Sequence, residues 1–173
     1  MTDRTYHVLF LCTGNSARSI LAEALLNHLG RGRFVGHSAG SMPTGRVNPY
    51  ALATLAEHGI AIHNPRSKSW DEFAFPDGSG PTMDLIITVC DNAANEVCPV
   101  WPGHPAAAHW GIPDPAAVQG DEATKMQAFR AAFDTLEARI QELVELPINE
   151  LGHENLKRRL AELHDRQANR PSP

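Results

Sequence analysis

Cysteine is scarce in this chain, with three in 173 residues. So small and odd a number does not make the disulfide framework of a secreted protein. It fits a reducing cytoplasm, where the cysteines that do pair are catalytic or redox-sensing. Long hydrophobic runs are missing too. The apolar stretches fall well short of the ~20 residues of a membrane span, and the start, Met1 to His7, lacks a basic segment followed by an apolar core. The expectations are no signal peptide and no membrane. Positive charge is not in excess: the formal net charge is -5, and acidic and basic residues are mixed along the chain. Without a basic patch or stripe no nucleic-acid partner is expected. No internal repeat is visible, and the length suits one domain with a sizeable core.

What is present is concentrated between residues 6 and 19, Tyr-His-Val-Leu-Phe-Leu-Cys-Thr-Gly-Asn-Ser-Ala-Arg-Ser. The apolar run from Val8 to Leu11 reads as a short buried strand. It ends at Cys12 and passes into a small polar loop with Gly14 and Asn15. From Ser19 a helical pattern begins, with Ile20, Leu21, Ala24, Leu25 and Leu29 recurring at three and four. Strand, loop and helix start follow each other without a spare residue, and loop amides with a helix N-terminus make an anion cradle. Cys12 stands at its base and Arg18 at its lip. Converging amides, a helix N-terminus and a nearby cation are expected to lower the Cys12 pKa towards the reactive thiolate. Arg18 offers a planar fork for two oxygens of a tetrahedral oxyanion, and Ser19 is placed to hydrogen-bond the sulfur. Gly14 permits a positive φ and Asn15 tolerates one. The bland alternative for Cys12 is a core thiol closing a strand; the loop between strand and helix favours the nucleophile.

Further along, Arg33 to Ser38 reads as a second strand. Pro49 falls in the first turn of a helix whose apolar face is Ala51, Leu52, Leu55 and Ala56 and which closes at Gly59. Residues 63 to 82 read as a loop with one helical turn near Trp70 and Phe73. Leu85 to Val89 is the clearest strand, apolar and β-branched as a central parallel strand is. Alternating strands and helices indicate an α/β fold with a parallel sheet. Ligands of such sheets bind at the carboxyl ends of the strands, where Cys12, Ser38, Cys90 and the segment after Trp110 all fall. An amphipathic helix is expected from Asp121 to Leu146. Pro147 interrupts it, and Leu151, Leu156, Leu160 and Leu163 mark a second, more charged helix. The expected division is a domain over residues 1–146 and a helical extension and tail over 147–173, the added helix packed on the domain or serving a dimer contact.

The run from Val8 to Ser19 resembles the phosphate loop of the low-molecular-weight tyrosine phosphatases and their arsenate reductase relatives. The resemblance continues in His37-Ser38-Ala39-Gly40, in Asp84 to Asp91 and in His109-Trp-Gly-Ile-Pro-Asp-Pro115, and covers about residues 6 to 145. It implies a three-layer α/β sandwich around a central four-stranded parallel sheet, here with an added C-terminal helix. It implies that Cys12 is the nucleophile and that Thr13, Gly14, Asn15, Ser16, Ala17 and Arg18 bind the oxyanion. Ser19 would tune the thiol, and Asp114, stiffened between two prolines, would be the general acid.

The family's thioredoxin-linked arsenate reductases carry a relay pair of cysteines where this chain has Cys90 and Cys98. The resemblance thus implies that Cys12 attacks arsenate, Cys90 attacks Cys12 and releases arsenite, and Cys98 attacks Cys90. The resulting disulfide would be reduced by thioredoxin, or by glutaredoxin with glutathione. If residues 90 to 98 formed one regular helix, the two Cα atoms would lie about 12 Å apart. A disulfide needs about 4.4–6.8 Å, so the segment is expected to bend or melt on oxidation. Core packing of both thiols, or zinc ligation with His104 and His109, are the competing readings. The alternative function is a protein tyrosine phosphatase working through a phosphocysteine. Family phosphatases wall their slot with aromatics just after the Asp-Pro; here Ala116 and Ala117 follow, which favours a small anion. Some family reductases bind potassium beside the loop. Lys68 stands where the carboxylate for that ion would be, so no metal is expected, and no cofactor. Phosphate or sulfate would mimic arsenate, and the expected state is a monomer or weak homodimer in the cytoplasm.

Overall fold

The computed structural model describes residues 4–73, 82–90 and 105–168. Four strands, β1 (Tyr6–Leu11), β2 (Phe34–Ala39), β3 (Leu85–Thr88) and β4 (Ala106–His109), form one sheet in the order β2-β1-β3-β4. All pairings are parallel, with Phe10 opposite Ser38, Leu9 opposite Ile86 and Ile87 opposite Ala108. Beyond the apolar run, β1 extends back to Tyr6, whose ring lies 5.7 Å from that of Phe34 on β2. From β1 the chain moves outward to β2 and then returns across β1 to β3 and β4. The strand order therefore reverses between β1 and β3, and a crevice opens there at the carboxyl ends of the strands. Cys12 and Cys90 are the residues at that point.

Side chains alternate across the sheet as the period of two requires. Tyr6, Val8 and Phe10 join the larger core cluster, while Leu9 and Leu11 pack with Met83 and Ile86 in a smaller one, against Trp70 and Phe73. Four α-helices among the described residues feed the larger cluster: α1 (Arg18–Leu29), α2 (Pro49–Glu57), α3 (Glu122–Glu145) and α4 (His153–Ala168). This is the α/β sandwich around a four-stranded parallel sheet. The expected turn near Trp70 is a short 3-10 helix over Trp70–Glu72.

The helix boundaries have local causes. Pro49 opens α2 behind Asn48, whose Oδ1 accepts from Tyr50 N–H at 2.8 Å. Asp121 caps α3 by accepting from Thr124 N–H at 2.8 Å. At the far end of α3, where helical carbonyls run out of partners, Arg33 donates to the Val144 and Leu146 carbonyls, and the latter also accepts from Ile148 N–H at 3.0 Å. Helix α1 has no side-chain cap and no acidic residue in its first turn, so its leading amides are left to the loop before it. Helix α4 runs beside β4, and Leu156, Leu160 and Leu163 are buried in the main core. The Trp110 indole N–H donates to the Leu160 carbonyl at 2.9 Å.

Candidate active site

The loop from Cys12 to Ala17 is shaped by bonds made outside it. The Thr13 carbonyl accepts from Met42 N–H at 3.0 Å, that of Gly14 from Thr44 N–H at 3.0 Å, and that of Ser16 from Asn48 N–H at 2.9 Å. A trans peptide sets each N–H opposite the preceding C=O. The N–H groups of Gly14, Asn15 and Ala17 therefore turn the other way, into the loop. Asn15 takes the left-handed conformation at φ 46°, whereas Gly14 stays outside it. Of the two residues able to take a positive φ, it is Asn15 that does so. The Asn15 side chain can secure that turn as glycine could not: its Oδ1 accepts from Lys68 N–H at 2.9 Å, and its Nδ2 donates to Ser19 Oγ at 2.7 Å. Ser19 is fully buried, and its hydroxyl accepts from Asn15 Nδ2.

Cys12 and Cys90 are both buried thiols. They share a hydrogen bond, and Thr13 N–H, expected in the anion cradle, donates to Cys90 Sγ at 3.3 Å. The bond to Cys90 and then burial push the Cys12 thiol above its ordinary range, while Arg18 and the Gly14 amide pull it down. The sequence-based expectation was a lowered pKa. It fails because a second sulfur sits against the first and a buried thiolate loses its hydration. The pair is better described as two thiols that titrate together than as one activated cysteine.

Arg18 closes the loop from the opposite side. Its Nη1 donates to the Ile112 carbonyl at 3.0 Å and its Nη2 lies 3.6 Å from Asp114 Oδ2. Its Nε is buried with no partner among the described residues, a costly state for a guanidinium donor that an oxyanion in the loop would relieve. Asp114 reaches Arg18 with one oxygen and with the other accepts from Ala116 N–H at 3.0 Å, so it caps the Pro115–Ala117 turn as well. The sheet and loops thus bring Cys12, residues 13–18, Cys90 and Asp114 together. Cys98 and His104 lie outside the described residues. His109 pairs with Thr88 Oγ1 at 2.7 Å.

Beside the loop, Lys68 Nζ lies 3.7 Å from Glu23 Oε1, which also accepts from Ser38 Oγ at 3.1 Å. Both are largely buried, and burial raises the Glu23 pKa and lowers that of Lys68. The Lys68 ammonium thus faces Glu23 and also donates to the Arg66 carbonyl at 3.2 Å, while the Lys68 backbone N–H is the one that holds Asn15. A neighbouring pair escaped sequence reasoning: His7 Nδ1 and His37 Nε2 are 3.0 Å apart with stacked rings. Thirty positions separate these histidines, and only the β1–β2 register joins them.

Residues 7–160 match the family described as low molecular weight phosphotyrosine protein phosphatase. The chain belongs to that family. Among its relatives is an arsenate reductase of Bacillus subtilis, 36% identical over 138 residues, which are 80% of this chain and 94% of that protein. The fold also resembles the crystal structure of an arsenate reductase from Archaeoglobus fulgidus, with a TM-score of 0.61 and 33% identity, covering 80% of this chain and 99% of the other. A thioredoxin-dependent arsenate reductase of Corynebacterium glutamicum gives a TM-score of 0.60 at 26% identity, over 83% of this chain and 62% of its own. No helix among the described residues is long and apolar enough to cross a membrane.

Proposed function

We propose that this protein reduces arsenate to arsenite through a cysteine nucleophile and an internal disulfide relay. The observation that carries this reading is the second thiol: Cys90 is hydrogen-bonded to Cys12 at the base of an oxyanion loop. Phosphoester hydrolysis has no step for it. The relatives named as arsenate reductases support the same choice.

In this reading the loop amides and Arg18 hold three oxygens of arsenate while the Cys12 sulfur attacks arsenic. Asp114 passes a proton to the departing hydroxide, which leaves as water. Cys90 then attacks the Cys12 sulfur. The sulfur–sulfur bond forms, and the sulfur–arsenic bond breaks with its electron pair going to arsenic, which leaves as arsenite. Cys98 attacks Cys90 and returns Cys12, and an external dithiol of the thioredoxin type gives two electrons to the Cys90–Cys98 disulfide. Ser19 acts on the loop through Asn15. The setting is the reducing cytoplasm, since the resting enzyme needs its thiols. In the same reading residues 147–173 extend the catalytic domain, and the protein works as a monomer or weak dimer.

The test is arsenate-dependent NADPH oxidation with thioredoxin and its reductase. Wild type is expected to turn over, and Cys90→Ser to stop after the first adduct, with no arsenite released beyond background. Turnover with glutathione and glutaredoxin alone would change the reductant. Brisk hydrolysis of an aryl phosphate with no arsenate-dependent oxidation in either system would replace the reductase by a tyrosine phosphatase.

A further inference from the structure

The relay ends on a partner protein, and the structure suggests where that partner sits. Met42 is 73% exposed, the one large hydrophobic side chain so exposed among the described residues. A bare methionine of this kind is common on surfaces that bind other proteins, because its flexible thioether adapts to them. Its position is fixed by the site itself. Thr13 donates its N–H to Cys90 Sγ at 3.3 Å and accepts at its carbonyl from Met42 N–H at 3.0 Å. One residue spans both bonds, so the Met42 amide lies within about 10 Å of the Cys90 sulfur. Two residues further along, from Thr44, a groove of about 500 Å³ opens, lined by Ser16, Thr44, Arg46, Val47, Asn48 and Pro49. Arsenate has no organic part to fill it. A groove of that size suits a side chain or short segment of a larger molecule.

We propose that this rim, with Met42 as its apolar knob and the groove beyond it, docks the external dithiol protein that resets the enzyme. The inference rests on the reductase reading above. Cys90 is buried in the reduced protein, so its oxidised form has to be presented to a partner held nearby, and the rim is braced to the same loop residue that holds the sulfur. In the reset the partner's thiolate attacks the enzyme disulfide and forms a mixed disulfide. Its second thiol then resolves that bond. The enzyme gains two electrons and two protons as a pair of thiols, and the partner leaves as a disulfide.

Steady-state arsenate reduction by Met42→Asp and Met42→Leu, each with thioredoxin and with dithiothreitol as the sole reductant, tests this. Met42→Asp keeps the backbone N–H but places a charge on the knob, and the KM for thioredoxin should rise about tenfold, the effect of losing one good interface contact. Dithiothreitol needs no docking, so its rate and the KM for arsenate should stay within about twofold of wild type, and Met42→Leu should keep the wild-type KM for thioredoxin. A thioredoxin KM unchanged in Met42→Asp would overturn the docking role. So would an equal fall in dithiothreitol-driven turnover, which would assign Met42 to support of the loop. Wild type that reduces arsenate with neither reductant would remove the reductase reading itself, and the docking site with it.

Discussion

Gly40 shows how little room the oxyanion loop leaves for its surroundings. Its N–H donates to the Lys68 carbonyl at 2.9 Å and its own carbonyl accepts from Trp70 N–H at 2.9 Å, so it is clamped on the side away from the loop. A Cβ at this position would lie 2.3 Å from the Thr13 carbonyl oxygen and 2.7 Å from that of Cys12. Both are backbone atoms of the loop, and neither can move without changing its shape. Gly40→Ala should therefore cost about 1–3 kcal/mol by overpacking, a fall in Tm of roughly 2–10 °C for a chain of this size. Arsenate or sulfate affinity, measured by titration calorimetry, should fall with it. A melting point and an affinity both equal to wild type would show that the loop yields at no cost. The same scale shows what one residue type can conceal. Asn15 was legible as a residue able to turn left-handed, yet the choice between it and Gly14 depended on Lys68 and Ser19, one of which is far away in the chain. The raised thiol of Cys12 was illegible for a similar reason, since its cause is a cysteine just beyond the end of another strand.

Among the elements, α4 carries the clearest energetic statement. Leu160 is fully buried, and its carbonyl receives the Trp110 indole N–H. Leu160→Ala should destabilise the protein by about 2–5 kcal/mol, read as a lower midpoint in urea at unchanged slope. Exposed Glu162→Ala on the same helix should stay within about 0.5 kcal/mol. If the two variants unfolded alike, the helix would be a surface attachment with no part in the core. The apolar period of this helix was plain in Leu156, Leu160 and Leu163, but nothing local said which surface it would cover. Strands were more readable: β1 and β3 are apolar because they are central, and strand–helix alternation announced that they run parallel, while the order β2-β1-β3-β4 came only with the structure. The weak signal was β4, Ala-Ala-Ala-His, whose small side chains have no β-forming character and which is held by its pairing with β3. The bending expected between Cys90 and Cys98 falls on residues outside those described.

At the scale of the whole molecule, the sheet carries one charge-sensitive histidine, His37. Burial, His7 and Lys68 lower the His37 pKa to about 4, against about 6.5 for an unfolded histidine. Between those values the unfolded chain binds a proton that the folded one refuses, so stability rises with pH through this window and falls as the solution is acidified. The contribution is at most roughly 3 kcal/mol, present above about pH 6.5 and lost as pH approaches 4. Urea unfolding at several pH values should show a shallower acid loss in His37→Asn than in wild type. Parallel curves would mean that other groups govern it.

The contact between Cys12 and Cys90 has a consequence for timing. In the proposed cycle, once arsenic is bound to Cys12, water and small thiols would compete to attack the adduct. A sulfur already touching its target acts as though present at a concentration no solute can reach. The first half of that proposed cycle would therefore be insulated from ambient thiols, and the external reductant would act only when the finished disulfide waits to be cleared.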